Sequence, residues 1–402
     1  MPIDFNPNFY INIQPQLIKP YFKAQEKLSN DVFIKKVDSN FKDIKIEKNS
    51  FGKIEKTGEK ATLYTITNNK GSSVSLSSFG ATITSIKIPS KNGELVDVTH
   101  GYNNVKPYEK SPIGHAGGTI GPYANKISNG IFTINNKKYT LECNKDNGQN
   151  HSHGGSEGFD VKNWNAKILK DGIEFSYLKK DMESGYPGNV LATVTYKFDN
   201  NNNLYILYNA KSDKDTIINM TNHTYFNLDG AENSQENSVL NHIVKLPNSS
   251  KITEINEQGI PTGNFLNIEN TPFDFRKEQK IEDVIEIENK QLSYGKGFDH
   301  NYIVDGYDGN KIIDVAEIKS KKTGINLKVS TNLPGFQFYT ANNLGKINQP
   351  AGKDNNKYEK RSGLCIEPQF FPNAINTDSF TEKGLLKSDE TYNRCIIYSF
   401  SN

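Results

Sequence analysis

An all-β protein, a large antiparallel β-sandwich with few short helices, is what this 402-residue sequence predicts. Three observations predict it. From Phe51 onward the chain is a succession of short alternating runs rich in β-branched and aromatic residues, among them VSLSSFGATITSIKI, FTINNKKYTL, NVLATVTYKF, INLKVST and FQFYT. That composition and period suit half-buried strands. Gly, Asn and Asp turns separate the runs, and no long helical pattern lies between them, which argues against a parallel α/β sheet. No repeat of fixed period and no run of 18 or more apolar residues appears, so a solenoid and a spanning helix are both excluded.

In chain order, residues 1–50 read as an accessory arm, rich in Asn, Lys and Ile, with helical spacing at Tyr21, Gln25, Leu28 and Val32. Residues 51–402 read as the β-sandwich. One interruption is expected: Ile281, Val284 and Ile285 recur at helical spacing and predict a short surface helix. The polar runs after Asp199 and near Arg361 read as turns and loops.

Lys and Arg number 48 against 46 Asp and Glu, a net charge of +2, which gives no general field to draw nucleic acid or an anionic bilayer. Neither is expected as a partner, and a small neutral ligand fits better. The N-terminal residues lack the basic and apolar segments of a secretory signal, so a cytoplasmic protein is expected. Cys143, Cys365 and Cys395 are odd in number and far apart, as unpaired thiols in a reducing compartment would be. No glycine-rich phosphate cradle is present, so no nucleotide cofactor is expected.

Side chains able to move protons gather in a few segments. GPYANKISNG holds Asn125 and Lys126 beside glycines that let backbone approach a ligand. NHSHGG carries His151 and His153; two histidines at i and i+2 of one strand point the same way and could suit a metal, but no third ligand is evident and none is expected. In NHTYFNLDG, His223 stands among strand formers and two aromatics, where on spacing alone a hydrogen-bonded core histidine is the favoured reading. Glu367 in GLCIEPQ is the strongest signal: a carboxylate within an otherwise buried strand is costly unless paired or used. Asp299 in GFDHNYIV and Gln337 in LPGFQFYT add short polar groups beside aromatic rings, the mixture that small-ligand pockets use for vicinal hydroxyls and a C–H face. Trp164 and Tyr186 could stack on a ligand, with core packing the simpler role.

Taken together, these segments resemble the aldose 1-epimerase, or galactose mutarotase, family. FGATITSIKIPSKNGELVDVTHGY, GPYANKISNG, NHSHGG with GFDVKNW after it, SGYPG, NHTYFNL, IPTG, TPFDFR, GFDHNY, LPGFQFYT and CIEPQFFPNAIN occur in the order such proteins have them, from about residue 51 to the C-terminus. The resemblance implies a galactose mutarotase-like supersandwich without metal or organic cofactor, acting as monomer or homodimer on aldohexoses such as galactose and glucose. It further implies Glu367 as general base and His223 as general acid. His153 would be a second hydrogen-bonding histidine, and Asp299, Gln337, Asn125 and Lys126 would hold sugar hydroxyls. The chain departs from the family's usual GRxANR pattern, with Pro122 and Lys126 where arginines stand. Lysine keeps the charge and loses the planar donor fork. Two other readings compete: a sugar-binding sandwich without catalysis, and a glycoside hydrolase pairing Glu367 with Asp299 at about 5 to 9.5 Å.

Overall fold

The computed structural model describes residues 38–110, 114–345 and 349–402. The helical spacing at Tyr21, Gln25, Leu28 and Val32 lies outside the described residues. Within Asp43–Asn402, which forms one compact unit, three large antiparallel sheets carry the chain. The strand Lys45–Lys53 pairs with Lys60–Thr67, so the first sheet begins ahead of the expected boundary at residue 51.

That first sheet is a five-stranded meander from Lys45 to Asp97. The second has nine strands, with Val190–Phe198, Asn203–Ser212 and Tyr392–Ser401 as neighbours at its centre. Its sequence logic is visible in VLATVTYKF, where every second residue from Val190 to Phe198 is buried, and Val194 stands opposite Tyr208. A period of two places all the large apolar groups on one face, and a slip of one residue would expose the whole set. The third sheet has five strands, of which Asp299–Ile303, Gly335–Tyr339 and Cys365–Gln369 lie side by side in that order. One continuous core joins the inner faces: Ile83 and Ile86 from the first sheet, Val194 and Tyr208 from the second, and Phe336 and Phe338 from the third. The all-β sandwich expected from the sequence is the fold observed.

The helix expected at Ile281, Val284 and Ile285 does not form, and these residues are buried rather than on the surface. Val284 and Ile285 both donate their backbone N–H to the Ile281 carbonyl, at 3.2 and 3.1 Å, giving turns that deliver all three side chains into the main core. A helix does start a few residues later, Lys290–Gly295, where the Asn289 side chain caps the amides of Gln291 and Leu292. The apolar spacing belonged to a buried turn, and the cap decided where the helix begins. Trp164 is likewise core: it stands edge-on to Phe159 and donates its indole N–H to the Phe159 carbonyl at 2.9 Å. Cys143, Cys365 and Cys395 are all unpaired.

Candidate active site

The third sheet builds half of the site by alternation alone. Asn301 stands opposite Gln337, which stands opposite Glu367; in the next row of the same face Asp299, Tyr339 and Cys365 are aligned. Directly opposed residues share a face of the pleat, so the polar groups of DHNYI, GFQFY and CIEPQ converge on one side. Their neighbours Tyr302, Phe336, Phe338 and Ile366 point the other way into the core. Within the polar face the Gln337 amide donates to Asp299 Oδ1 at 2.7 Å. Glu367 is 2% exposed, and its Oε2 has no hydrogen-bond partner among the described residues.

The other half comes from loops tied to short strands. His223 follows the strand Thr221–Asn222, which pairs with Thr119–Ile120. Its own N–H donates to the Gly118 carbonyl at 3.1 Å and its carbonyl accepts from Gly117 at 2.9 Å, which fixes the backbone. The ring then presents Nε2 at 3.6 Å from Glu367 Oε1 and Nδ1 at 3.6 Å from the Cys365 thiol. At 3.6 Å the imidazole and carboxyl do not hydrogen-bond directly. They face each other across a gap.

His153 and His151 do not act as the i, i+2 pair of a strand. The strand His151–Ser152 ends before His153, whose φ of +53° turns the chain and sends the two rings apart. His151 is a satisfied core residue, with Nδ1 at 2.7 Å from the Glu142 carbonyl and Nε2 at 2.6 Å from the Tyr186 hydroxyl, which also accounts for Tyr186. His153 faces His223, ring centroids 5.5 Å apart. The backbone N–H of Asn125 donates to His153 Nδ1 at 3.2 Å, so the hydrogen of the neutral ring sits on Nε2. Asn125 thereby sets the tautomer of its neighbour. Lys126 lies at the edge of the group; its ammonium bonds the Gln258 carbonyl and stands 3.4 Å from Asp146.

Electrostatics divide these groups sharply. Desolvation, reinforced by the nearby Asp299, pushes Glu367 well above the usual carboxylate range. Desolvation, helped by the charge of His115, takes His223 down to about 3. The same two causes, together with His223, hold His153 well below the ordinary imidazole value. Asp299 is raised by desolvation, against the pull of its Gln337 hydrogen bond and of Lys126 and Lys145. Burial thus favours the protonated form of Glu367 and the neutral form of the two imidazoles that face it.

One ligand atom from each of His153, His223 and Glu367 falls within 4.8 Å of the others, close enough to bracket a metal ion. The His153 tautomer argues against it, because Nε2 carries the hydrogen that Asn125 excludes from Nδ1. A ring so fixed donates to an oxygen better than it ligates a cation.

Comparison with known proteins decides the family. The aldose 1-epimerase profile matches residues 62–399. This chain belongs to the aldose 1-epimerase family. It is 36% identical to the galactose mutarotase of Sus scrofa over 329 residues, 82% of this chain and 91% of that protein. To the aldose 1-epimerase of Escherichia coli K12 it is 33% identical over 346 residues, 85% of this chain and 96% of the other. Among solved structures, the aldose epimerase homologue from C. elegans superposes with a TM-score of 0.75 at 28% identity, covering 85% of this chain and 99% of its own. The galactose 1-epimerase of Lactobacillus acidophilus gives 0.74 at 26%, covering 89% and 99%. The reaction is interconversion of the α and β anomers of aldoses, an isomerisation of carbohydrate.

In this member of the family, sheet register and histidine loops bring Glu367, His223, His153, Asp299, Gln337 and Asn125 into one group with Lys126 at its rim. Sequence reasoning missed His115, whose ring centre lies 4.8 Å from His153 and 5.9 Å from His223, and Cys365 against the His223 ring. The cluster of glycines after His115 was the available signal for the first. The strand period that places Cys365 two residues before Glu367 was the signal for the second.

A raised carboxyl pKa means that the folded protein holds this proton more tightly than the unfolded chain. Below about pH 4.3, the unperturbed glutamate value, both states are protonated and nothing is lost; above it the unfolded chain ionises first and stability falls. Glu367→Gln is accordingly expected to melt at the same or a higher temperature than the parent protein at pH 7. The advantage should shrink towards pH 4 in parallel calorimetric scans.

Proposed function

We propose that Glu367 and His223 form the general base and general acid of the epimerase, working on aldohexoses such as galactose and glucose. The observation that carries this is the 3.6 Å gap between His223 Nε2 and Glu367 Oε1, two buried groups facing each other without bonding. Protonated glutamic acid with neutral histidine, and carboxylate with imidazolium, contain the same single proton. Sugar hydroxyls donating to Glu367 supply what Oε2 lacks and favour the ionised form, so that the proton passes to His223.

From there the chemistry follows. Glu367 takes the proton of the anomeric hydroxyl while His223 delivers its proton to the ring oxygen, and the bond between anomeric carbon and ring oxygen breaks. An open aldehyde results, with Glu367 protonated and His223 neutral. Rotation about the bond from the carbonyl carbon to its neighbour exposes the other face, and both transfers reverse to close the other anomer. His153 donates from Nε2 to a sugar oxygen. Asp299, Gln337 and Asn125 hold hydroxyls, and the Lys126 charge lies alongside in place of a guanidinium. The porcine relative's name, galactose mutarotase, supports galactose as a substrate. Three unpaired cysteines support a cytoplasmic setting, and no helix among the described residues is long and apolar enough to cross a membrane.

Each proton-transfer group of this kind contributes about 10² to 10⁴ in rate. Polarimetry on freshly dissolved α-galactose should show Glu367→Gln and His223→Asn each slowed by at least about 10²-fold with the fold intact; near-parental activity in either removes that residue from the mechanism. Because burial holds His223 at about 3, kcat/KM should show no acid-side break near 6.5, the ordinary imidazole value. The loss expected is on the alkaline side, as Glu367 gives up the shared proton before sugar binds. A tenfold fall per pH unit below 6.5 would overturn this ordering.

A further inference from the structure

One titratable pair outside the residues assigned above faces the same site. His115 Nδ1 lies 2.7 Å from Asp160 Oδ2, and the two side chains differ in exposure, 22% for the histidine and 4% for the aspartate. The carboxylate is built in. Asp160 lies in the short 3-10 turn Phe159–Val161, and a Cβ on Gly118 would meet its Cβ at 2.8 Å, so only glycine lets the His115 loop pass so close. On its other side the loop is clamped as tightly: a Cβ on Gly117 would meet the Ile83 carbonyl oxygen at 1.9 Å. The Gly117 and Gly118 peptides are also the groups that bond the His223 backbone. His115 and His223 thus hang from one rigid segment.

The placement has a chemical consequence. With Nδ1 engaged by Asp160, Nε2 lies on the opposite edge of the ring. The ring centre is 4.8 Å from His153 and 5.9 Å from His223, distances at which one sugar hydroxyl reaches more than one imidazole. His115 is more exposed than the buried His223 and Glu367, so it stands at the mouth of the group and not in its depth. It also adopts a left-handed backbone conformation, φ +61°, which a histidine seldom takes without compensation.

We propose that His115, oriented by Asp160, is a substrate-binding residue at the mouth of the sugar site, where its imidazole hydrogen-bonds an aldose hydroxyl remote from the bond that opens. The proposal rests on the aldose reading of the site given above. An Asp–His pair of this kind fixes both the tautomer and the ring plane before the ligand arrives, so little is lost in ordering it on binding.

The test separates this residue from the site as a whole. A galactose analogue lacking the anomeric hydroxyl binds without reacting, and calorimetry gives its Kd for the full-length protein and for His115→Asn, since asparagine tolerates the left-handed backbone. Loss of one such hydrogen bond is expected to weaken binding about tenfold and to raise KM for galactose by a similar factor, with kcat within about threefold. Asp160→Asn should give a smaller shift in the same direction. In the parent protein, the imidazole resonance that His115→Asn removes from the NMR spectrum should move when the analogue is added. Unchanged Kd and KM, a kcat loss at constant KM, or an unmoved resonance in a protein that binds the analogue would each overturn the assignment. A parent protein that neither binds the analogue nor anomerises galactose would remove the aldose reading itself.

Discussion

Burying a carboxyl group with one oxygen unpartnered, 3.6 Å from an imidazole it does not bond, is the constraint on which this site depends. An ionised carboxylate in such surroundings costs several kcal/mol, and desolvation with the nearby Asp299 shifts Glu367 towards its protonated form. The same desolvation that raises Glu367 lowers His223, so burial disfavours the charged form of both groups. Anomerisation needs one proton taken and one given at neighbouring oxygens. In the mechanism proposed above, a pair holding a single proton between its members performs both without exchange with solvent.

Everything around the pair serves to hold that gap. Glu367 is fixed by antiparallel register with Gln337, and the reverse face of the same strands is anchored by Phe336, Phe338 and Ile366 in the core. His223 is fixed by backbone bonds to Gly117 and Gly118 and is flanked by the Cys365 thiol. A strand-borne carboxylate is positioned more rigidly than a loop-borne one, and the loop-borne histidine is made rigid by glycines that admit no side chain. Sheet register on one side and close backbone packing on the other thus hold the two groups in place.

Much of this was legible in the sequence because alternation encodes it. In GFQFY and CIEPQ the apolar Phe336, Phe338 and Ile366 flank Gln337 and Glu367, so a strand reading turns each polar side chain away from its apolar neighbours, and the pairing register then aligns the two. What alternation does not encode was misread or missed. Ile281, Val284 and Ile285 have helical spacing, yet tight turns bury them, since the start of the helix is set by the Asn289 cap. His151 and His153 looked like a strand pair until a left-handed residue separated them. His115 carried no strand pattern, and only tertiary packing against Asp160 brings it to the site. The opposite shifts of Glu367 and His223 were not legible either, because burial of both groups is a property of the fold and not of the residues.

The most direct measurement is infrared difference spectroscopy of the parent protein against Glu367→Gln at neutral pH, without sugar and with galactose bound at anomeric equilibrium. A protonated carboxyl band should belong to Glu367 in the empty protein and give way to an ionised carboxylate band when the sugar hydroxyls arrive. An ionised Glu367 in the empty site, or a protonated one that sugar leaves unchanged, would contradict the shared-proton pair.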